Sequence, residues 1–330
     1  MANILILGAG TMGTAFSIPC SDNNHKIFIV GTHLENKFVD QVNFKKKHPI
    51  LNCTIPRNVK FVKLNKLKTI ANGKIDLIAI AVVSKGIEWA SKELSKIIKK
   101  NTPILILTKG LDIYKNKFEV MPHKMERILK KNGIKKTNIS IAGGPCLAKN
   151  LSSKINTSVI FANKDIKSVK KISKLVSTNY YHISYSRDVV GVGLCSAIKN
   201  IFSMAIGSSV THLNASAGIF QQSINEMLIL IKKLKGKKET VMGLAGVGDL
   251  YVSAVGGRNS KMGEYLGRGM TFTQVKKIKM AKDTVEGADL ALKIGYKIKK
   301  DFDNNKIPIM TSMINSICKN SILKIDWKKF

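Results

Sequence analysis

Three groups of residues in this chain have types and spacings that could do chemistry. Gly8-Ala9-Gly10-Thr11-Met12-Gly13 follows a short apolar run, Ile4 to Leu7, and opens a segment, Thr11 to Ser21, that reads as a helix. A GxGxxG so placed suits a dinucleotide. Gly8 allows the tight turn, Gly10 lets the backbone approach a pyrophosphate, and Gly13 lets helix and strand pack closely. The free N–H groups of the helix start then face the phosphates. Lys199 lies inside the apolar stretch LCSAIKNIFSMAIG, where a solvated lysine is out of place. Arg258 and Asn259 follow a glycine pair, and Arg is scarce here, with only five in the chain. A guanidinium in such a loop suits a phosphate. The second strand ends in Val30-Gly31-Thr32-His33-Leu34-Glu35, with no Asp or Glu directly at its end. Thr32 and His33, with Lys37 nearby, accommodate a 2′-phosphate, which tilts the cofactor toward NADP while leaving NAD open.

Those groups need a scaffold, and the hydrophobic pattern supplies one. Apolar runs at Ile4 to Leu7, Lys26 to Val30, Ile75 to Val83, Pro103 to Leu107, Asn138 to Ala142 and Thr157 to Phe161 alternate with amphipathic, Lys-rich stretches such as Trp89 to Lys100 and Glu119 to Lys131. Apolar strands alternating with helices predict an α/β fold, a doubly wound parallel sheet of the Rossmann type covered on both faces. Near Tyr185 the pattern changes. Val189 to Val210, Ala215 to Leu234, Thr284 to Gly295 and Thr311 to Ile322 read as helices. The expectation is a nucleotide-binding domain over 1–185 followed by an all-helical substrate and catalytic domain over 186–330.

Composition narrows the function classes. The chain has 330 residues, 55 basic against 21 acidic, for a net charge of +34. The excess is lysine spread along the chain, without the clustered Arg and aromatics of a nucleic-acid binder, so no nucleic-acid partner is expected. Five Cys, an odd number without CxxC spacing, read as reduced thiols, and six scattered His show no metal-ligand grouping. No run of about 18 apolar residues predicts a membrane span, and the N-terminal run is a strand, not a signal peptide.

Several loops then line up. Thr108-Lys109-Gly110-Leu111 follows the fourth strand and Gly144-Pro145-Cys146-Leu147-Ala148 the fifth. Ala197-Ile198-Lys199-Asn200 lies in the first long helix. Gly243-Leu244-Ala245-Gly246-Val247-Gly248-Asp249-Leu250, Gly257-Arg258-Asn259 and Val285-Glu286-Gly287 come after it. In order and spacing, from Gly8 to about Gly287, these resemble NAD(P)-dependent glycerol-3-phosphate dehydrogenase. The GLAGVGDL segment is the most specific part. The resemblance implies a cytoplasmic homodimer that interconverts sn-glycerol 3-phosphate and dihydroxyacetone phosphate with NAD or NADP and feeds glycerophospholipid synthesis. It implies Lys199 as acid/base, with Lys109 polarising the carbonyl oxygen and Asp249 orienting Lys199. Lys109, Asn200, Ser253, Arg258 and Asn259 would contact the phosphorylated substrate. Gly8, Gly10, Thr11, Met12, Gly13, Thr32, His33, Lys109, Ala148, Arg258 and Glu286 would contact the cofactor.

The chain departs from the family pattern at Thr11-Met12, at Gly31-Thr32-His33, at Asn150 and Gly193, where a Glu is usual, and at Ser253, where Thr is frequent. Those departures, and the net charge of +34, keep two alternatives in view. One is the same architecture acting on another polyol phosphate or a hydroxy acid. The other is a non-catalytic module holding nucleic acid.

Overall fold

The structure is a computed structural model that describes residues 1–99 and 101–330; Lys100, at the end of the expected Trp89 to Lys100 stretch, lies outside them. In chain order the first elements are β1 (Asn3–Leu7), α1 (Thr11–Asp22), β2 (Lys26–Val30), α2 (Asn36–Lys45), β3 (Val59–Val62), α3 (Leu67–Asn72), β4 (Leu77–Ile80), α4 (Ile87–Ser95) and β5 (Pro103–Ile106). There follow β6 (Leu111–Tyr114), β7 (Lys117–Val120), α5 (Met121–Lys131), β8 (Asn138–Gly143), α6 (Ala148–Ser152), β9 (Thr157–Ala162), α7 (Ile166–Val176) and β10 (Tyr181–Ser186). The rest is helical: α8 (Val189–Gly207), α9 (Leu213–Lys233), α10 (Lys238–Met242), α11 (Asp249–Ala254), α12 (Arg258–Gly267), α13 (Phe272–Ile278), α14 (Glu286–Asp301) and α15 (Pro308–Cys318).

Contacts divide the chain into two compact units, one of residues 1–109 and 121–189, the other of residues 110–120 and 190–330. In the first, eight strands run in the order β10-β9-β8-β5-β4-β1-β2-β3. Ile4 to Leu7 are completely buried, as a strand covered on both faces requires, and each such side chain contributes about 1.5–3 kcal/mol. One buried cluster joins β1, β2, α1 and α7, and another joins β4, β5, α4 and α5. Leu7 pairs with Val30 on one side and Ile80 on the other. The loops after β1, β2 and β4 therefore leave the sheet at one edge, where strand order turns back around β1.

The sheet differs from a purely parallel one at β9, which pairs antiparallel with β8; β10 then pairs parallel with β9. The link from β8 to β9, residues 144–156, holds only the short α6, and the chain reverses direction across it. The strand pattern also extends to β10, and β3 joins the far edge.

The hairpin β6–β7 is absent from the sequence expectation, which placed Glu119 in a helix. It turns at Lys115-Asn116, both with positive φ (45° and 56°), the backbone of a tight two-residue hairpin without the glycine that usually announces it. It belongs to the second unit through Lys293 Nζ–Asp112 Oδ1 (2.8 Å) and Lys297 Nζ donating to Asn116 Oδ1 (3.1 Å). In that unit α8 is the central element. Its 19 residues are apolar and long enough to cross a membrane, yet 94% of its apolar window is buried inside the protein.

Candidate active site

In the first unit the glycine turn is built as its sequence requires. Gly8 has φ +111°, and a Cβ there would lie 2.8 Å from the carbonyl oxygen of Ala81, so a side chain is excluded twice over. A Cβ on Gly13 would lie 2.2 Å from the carbonyl oxygen of Gly8. That leaves α1 pressed against the turn, with Thr11 and Met12 in its first turn. Gly10 precedes the helix and no side chain caps it, so the N–H groups of the first turn suit a pyrophosphate. The residues fit a dinucleotide.

Around this turn, Lys109 follows β5 and its Nζ donates to the carbonyl oxygen of Gly144 (3.3 Å), in the loop that leads to Ala148 at the start of α6. His33 is exposed, its ring 5.5 Å from that of Trp89 on α4. Thr32 donates its backbone N–H to Glu35 Oε2 (2.7 Å), and the same oxygen accepts from the N–H of Ala9 (3.2 Å). This corrects the sequence reading: the strand end does carry a carboxylate, brought back by a turn from three residues beyond Thr32. Thr32-His33-Leu34-Glu35 has the T-x-x-E spacing of a capping box, and the Glu-to-backbone half of that box forms. That spacing was the available signal.

In the second unit Lys199 is 6% exposed and Asp249 1%. Lys199 Nζ donates to Asp249 Oδ1 (2.8 Å) and to the hydroxyl of Ser253. Asp249 opens α11 directly after Leu244–Gly248, which forms one π-helical turn, a backbone irregularity that often marks functional positions. Asn200, next to Lys199 on α8, accepts at Oδ1 from Asn259 Nδ2 (3.0 Å) and donates from Nδ2 to Glu286 Oε2 (3.4 Å). Asn259 Oδ1 accepts from the N–H of Gly287 (2.9 Å). The amide of Asn259 thus ties α8, α12 and α14 together. Arg258 stands half-exposed at the rim, 3.9 Å from Glu286 Oε1.

Small residues allow this convergence. A Cβ on Gly263 of α12 would lie 1.9 Å from the Met204 carbonyl oxygen of α8, and one on Gly287 of α14 would lie 2.3 Å from that of Asn200. The helices meet backbone to backbone, which brings short amides within reach of each other. The arrangement offers a buried, charged proton donor beside polar groups, with a guanidinium at its edge. A secondary alcohol–ketone pair with an anionic end needs this set.

Comparison with known proteins agrees with the geometry. Residues 3–169 match the model of the NAD-dependent glycerol-3-phosphate dehydrogenase N-terminus, and residues 188–325 that of the C-terminus. The chain is 28% identical to the NADP(+)-dependent glycerol-3-phosphate dehydrogenase of Archaeoglobus fulgidus, over 95% of this chain and 93% of that one. It is 29% identical to the glycerol-3-phosphate dehydrogenase [NAD(P)+] of Phytoplasma mali, over 98% and 95%. Among solved structures, the glycerol-3-phosphate dehydrogenase of Coxiella burnetii shares the fold with a TM-score of 0.83 at 23% identity, covering 97% of this chain and 96% of that one.

Proposed function

Because the chain belongs to the NAD-dependent glycerol-3-phosphate dehydrogenase family, whose NAD(P)-linked interconversion of glycerol 3-phosphate and dihydroxyacetone phosphate it performs, we propose that Lys199 is its acid/base. The observation that carries this assignment is the buried Lys199 ammonium held by Asp249 and Ser253. When bound, the nicotinamide supplies or accepts the hydride. In the reductive direction the ketone carbon gains that hydride, and the oxygen, left with the electron pair of the broken π bond, takes a proton from Lys199 Nζ. In the oxidative direction the neutral amine takes the hydroxyl proton. The Asp249 carboxylate, 2.8 Å away, holds the Lys199 nitrogen in place. Lys109 supplies positive charge to the carbonyl oxygen.

Arg258 binds the substrate phosphate, and Asn200, Ser253 and Asn259 hold the polar backbone of the substrate. Gly8, Gly10, Thr11, Met12, Gly13, Thr32, His33 and Ala148 form the cofactor's surroundings, with Lys109, Arg258 and Glu286 also approaching it. We assign the dinucleotide to residues 1–185 and substrate chemistry to residues 186–330. A cytoplasmic homodimer that binds no nucleic acid and feeds glycerophospholipid synthesis is the setting this reading supposes; sedimentation of the purified protein tests the dimer.

The deciding experiment follows NADH and NADPH oxidation with dihydroxyacetone phosphate and with unphosphorylated dihydroxyacetone, for the wild type and Lys199→Ala. The phosphorylated ketone should be strongly preferred. Near-full rate in Lys199→Ala would overturn the assignment.

A further inference from the structure

We propose that Glu35 sets the nucleotide preference of this chain and that it favours NAD over NADP, an inference that rests on the reading of the first unit as the cofactor site. The β1–β2 register puts Leu7 beside Val30, so the Gly8-Ala9-Gly10 turn and the Gly31-Thr32 segment leave the sheet side by side. In a doubly wound sheet the adenosine ribose comes to rest at this edge, over the end of the second strand. The half-buried Glu35 carboxylate is anchored there. Its Oε2 accepts from the backbone N–H groups of both Ala9 and Thr32. Its Oε1 lies 3.9 Å from the space that a Cβ on Gly10 would fill. Two backbone donors from two loops fix the carboxylate, and one oxygen is turned toward the glycine turn.

A carboxylate at that place accepts a hydroxyl hydrogen from an unmodified ribose. A phosphate on the 2′ oxygen removes that hydrogen and sets a second negative charge against the first. Two of the nearest groups are already engaged. The Thr32 N–H is taken by Glu35, and the Thr32 hydroxyl accepts from the N–H of Leu34 (3.4 Å). The His33 ring lies against Trp89, while Lys37, the second residue of α2, is exposed. This reverses the tilt toward NADP that Thr32 and His33 suggest as bare sequence. The relative from Archaeoglobus fulgidus is NADP-dependent by name, so kinship at 28% identity and the local geometry predict opposite outcomes.

The test is a fluorescence titration of NADH and NADPH, without substrate, for the wild type, Glu35→Gln and Glu35→Ser. Protection against thermal unfolding by 5′-AMP and by adenosine 2′,5′-bisphosphate is measured alongside. The wild type should bind NADH about tenfold or more tighter than NADPH and be protected better by 5′-AMP. Glu35→Gln keeps an acceptor for the two N–H groups while removing the charge, and it should cut that ratio by about tenfold; Glu35→Ser should do the same or invert it. Wild-type protein that binds NADPH as tightly as NADH would overturn the proposal, as would a ratio unchanged in Glu35→Gln. Binding of neither nucleotide would overturn the dinucleotide reading itself, and the proposal with it. The wild-type comparison of the two adenosine nucleotides stands even if Glu35→Ser does not fold.

Discussion

The glycine turn and the lysine site are built by opposite means. At the turn the working groups are backbone N–H groups, and the side chains matter by being absent: Gly8 and Gly13 each leave no room for a Cβ. The neighbouring Thr11 and Met12 can differ from the family pattern without loss of the cradle. At the lysine site the proposed working groups are side chains from α8, α11, α12 and α14, and the backbone's part is to come close enough for short amides to meet. The first kind of site should therefore resist changes of side-chain chemistry and fail on added bulk. The second should fail when one functional group is altered, even where the packing survives.

The sharpest way to break this contrast is Lys199→Ala. Loss of a positioned proton donor should lower kcat by about 10²–10⁴-fold, with the NADH dissociation constant changed less than about twofold. It also takes the cation away from the 1%-exposed Asp249, so unfolding in urea should register a loss of about 3–5 kcal/mol. Lys199→Met with Asp249→Asn should recover stability and not rate. If the double variant regained rate, the site would not work through its side chains. Gly13→Ala tests the other half. Its Cβ must displace the Gly8 carbonyl, costing about 1–3 kcal/mol of stability, and nucleotides should no longer raise the melting temperature. Normal NADH binding by this variant would show that the turn is not a backbone-built site.

Arg258→Ala should act more locally. A charge-assisted contact to phosphate is worth about 1.5–3 kcal/mol, which corresponds to a rise of roughly 10–150-fold in KM for dihydroxyacetone phosphate. Kinetics with the unphosphorylated ketone should change far less, by no more than the loss of the Arg258 approach to the cofactor. An equal loss on both ketones would mean that Arg258 serves the cofactor or the Asn200–Asn259–Glu286 network rather than the phosphate.

The two sites also differ in how far the sequence reveals them. The turn is contiguous, so six residues carry its whole geometry, and apolar runs such as Ile4 to Leu7 place it on a buried strand. The lysine site is assembled through contacts between residues 50 to 86 positions apart in sequence, and only the resemblance connects them before the structure is seen. What stayed hidden depended on tertiary context. The Lys115-Asn116 hairpin carries no glycine. The antiparallel β9 has the same apolar alternation as a parallel strand. Glu35 sits beyond the strand end in sequence and returns to it only through the turn closed by its N–H bonding the Thr32 carbonyl (3.0 Å).

A buried carboxylate without a cation sharpens the comparison from within the second unit. Glu226 on α9 is 0% exposed and accepts from the N–H groups of Ile309 (2.7 Å) and Met310 (2.8 Å), in the first turn of α15, and from Gln222 Nε2 (3.3 Å). Burial outweighs those donors and pushes its carboxyl up to about 7 from 4.5. Between those two values the folded state holds a proton that the unfolded chain has released. Stability is thus fully present below about pH 4.5 and is lost as pH rises through 7. The slope is at most about 1.4 kcal/mol per pH unit, so roughly 1 kcal/mol should separate pH 5.5 from pH 6.5. Glu226→Gln cannot ionise, and its unfolding free energy should lose this slope while kcat at saturating substrate stays near that of the wild type. Urea denaturation of both proteins from pH 5 to 8 measures the difference. Parallel curves would mean that the N–H groups at the start of α15 hold the Glu226 anion well enough to offset its burial.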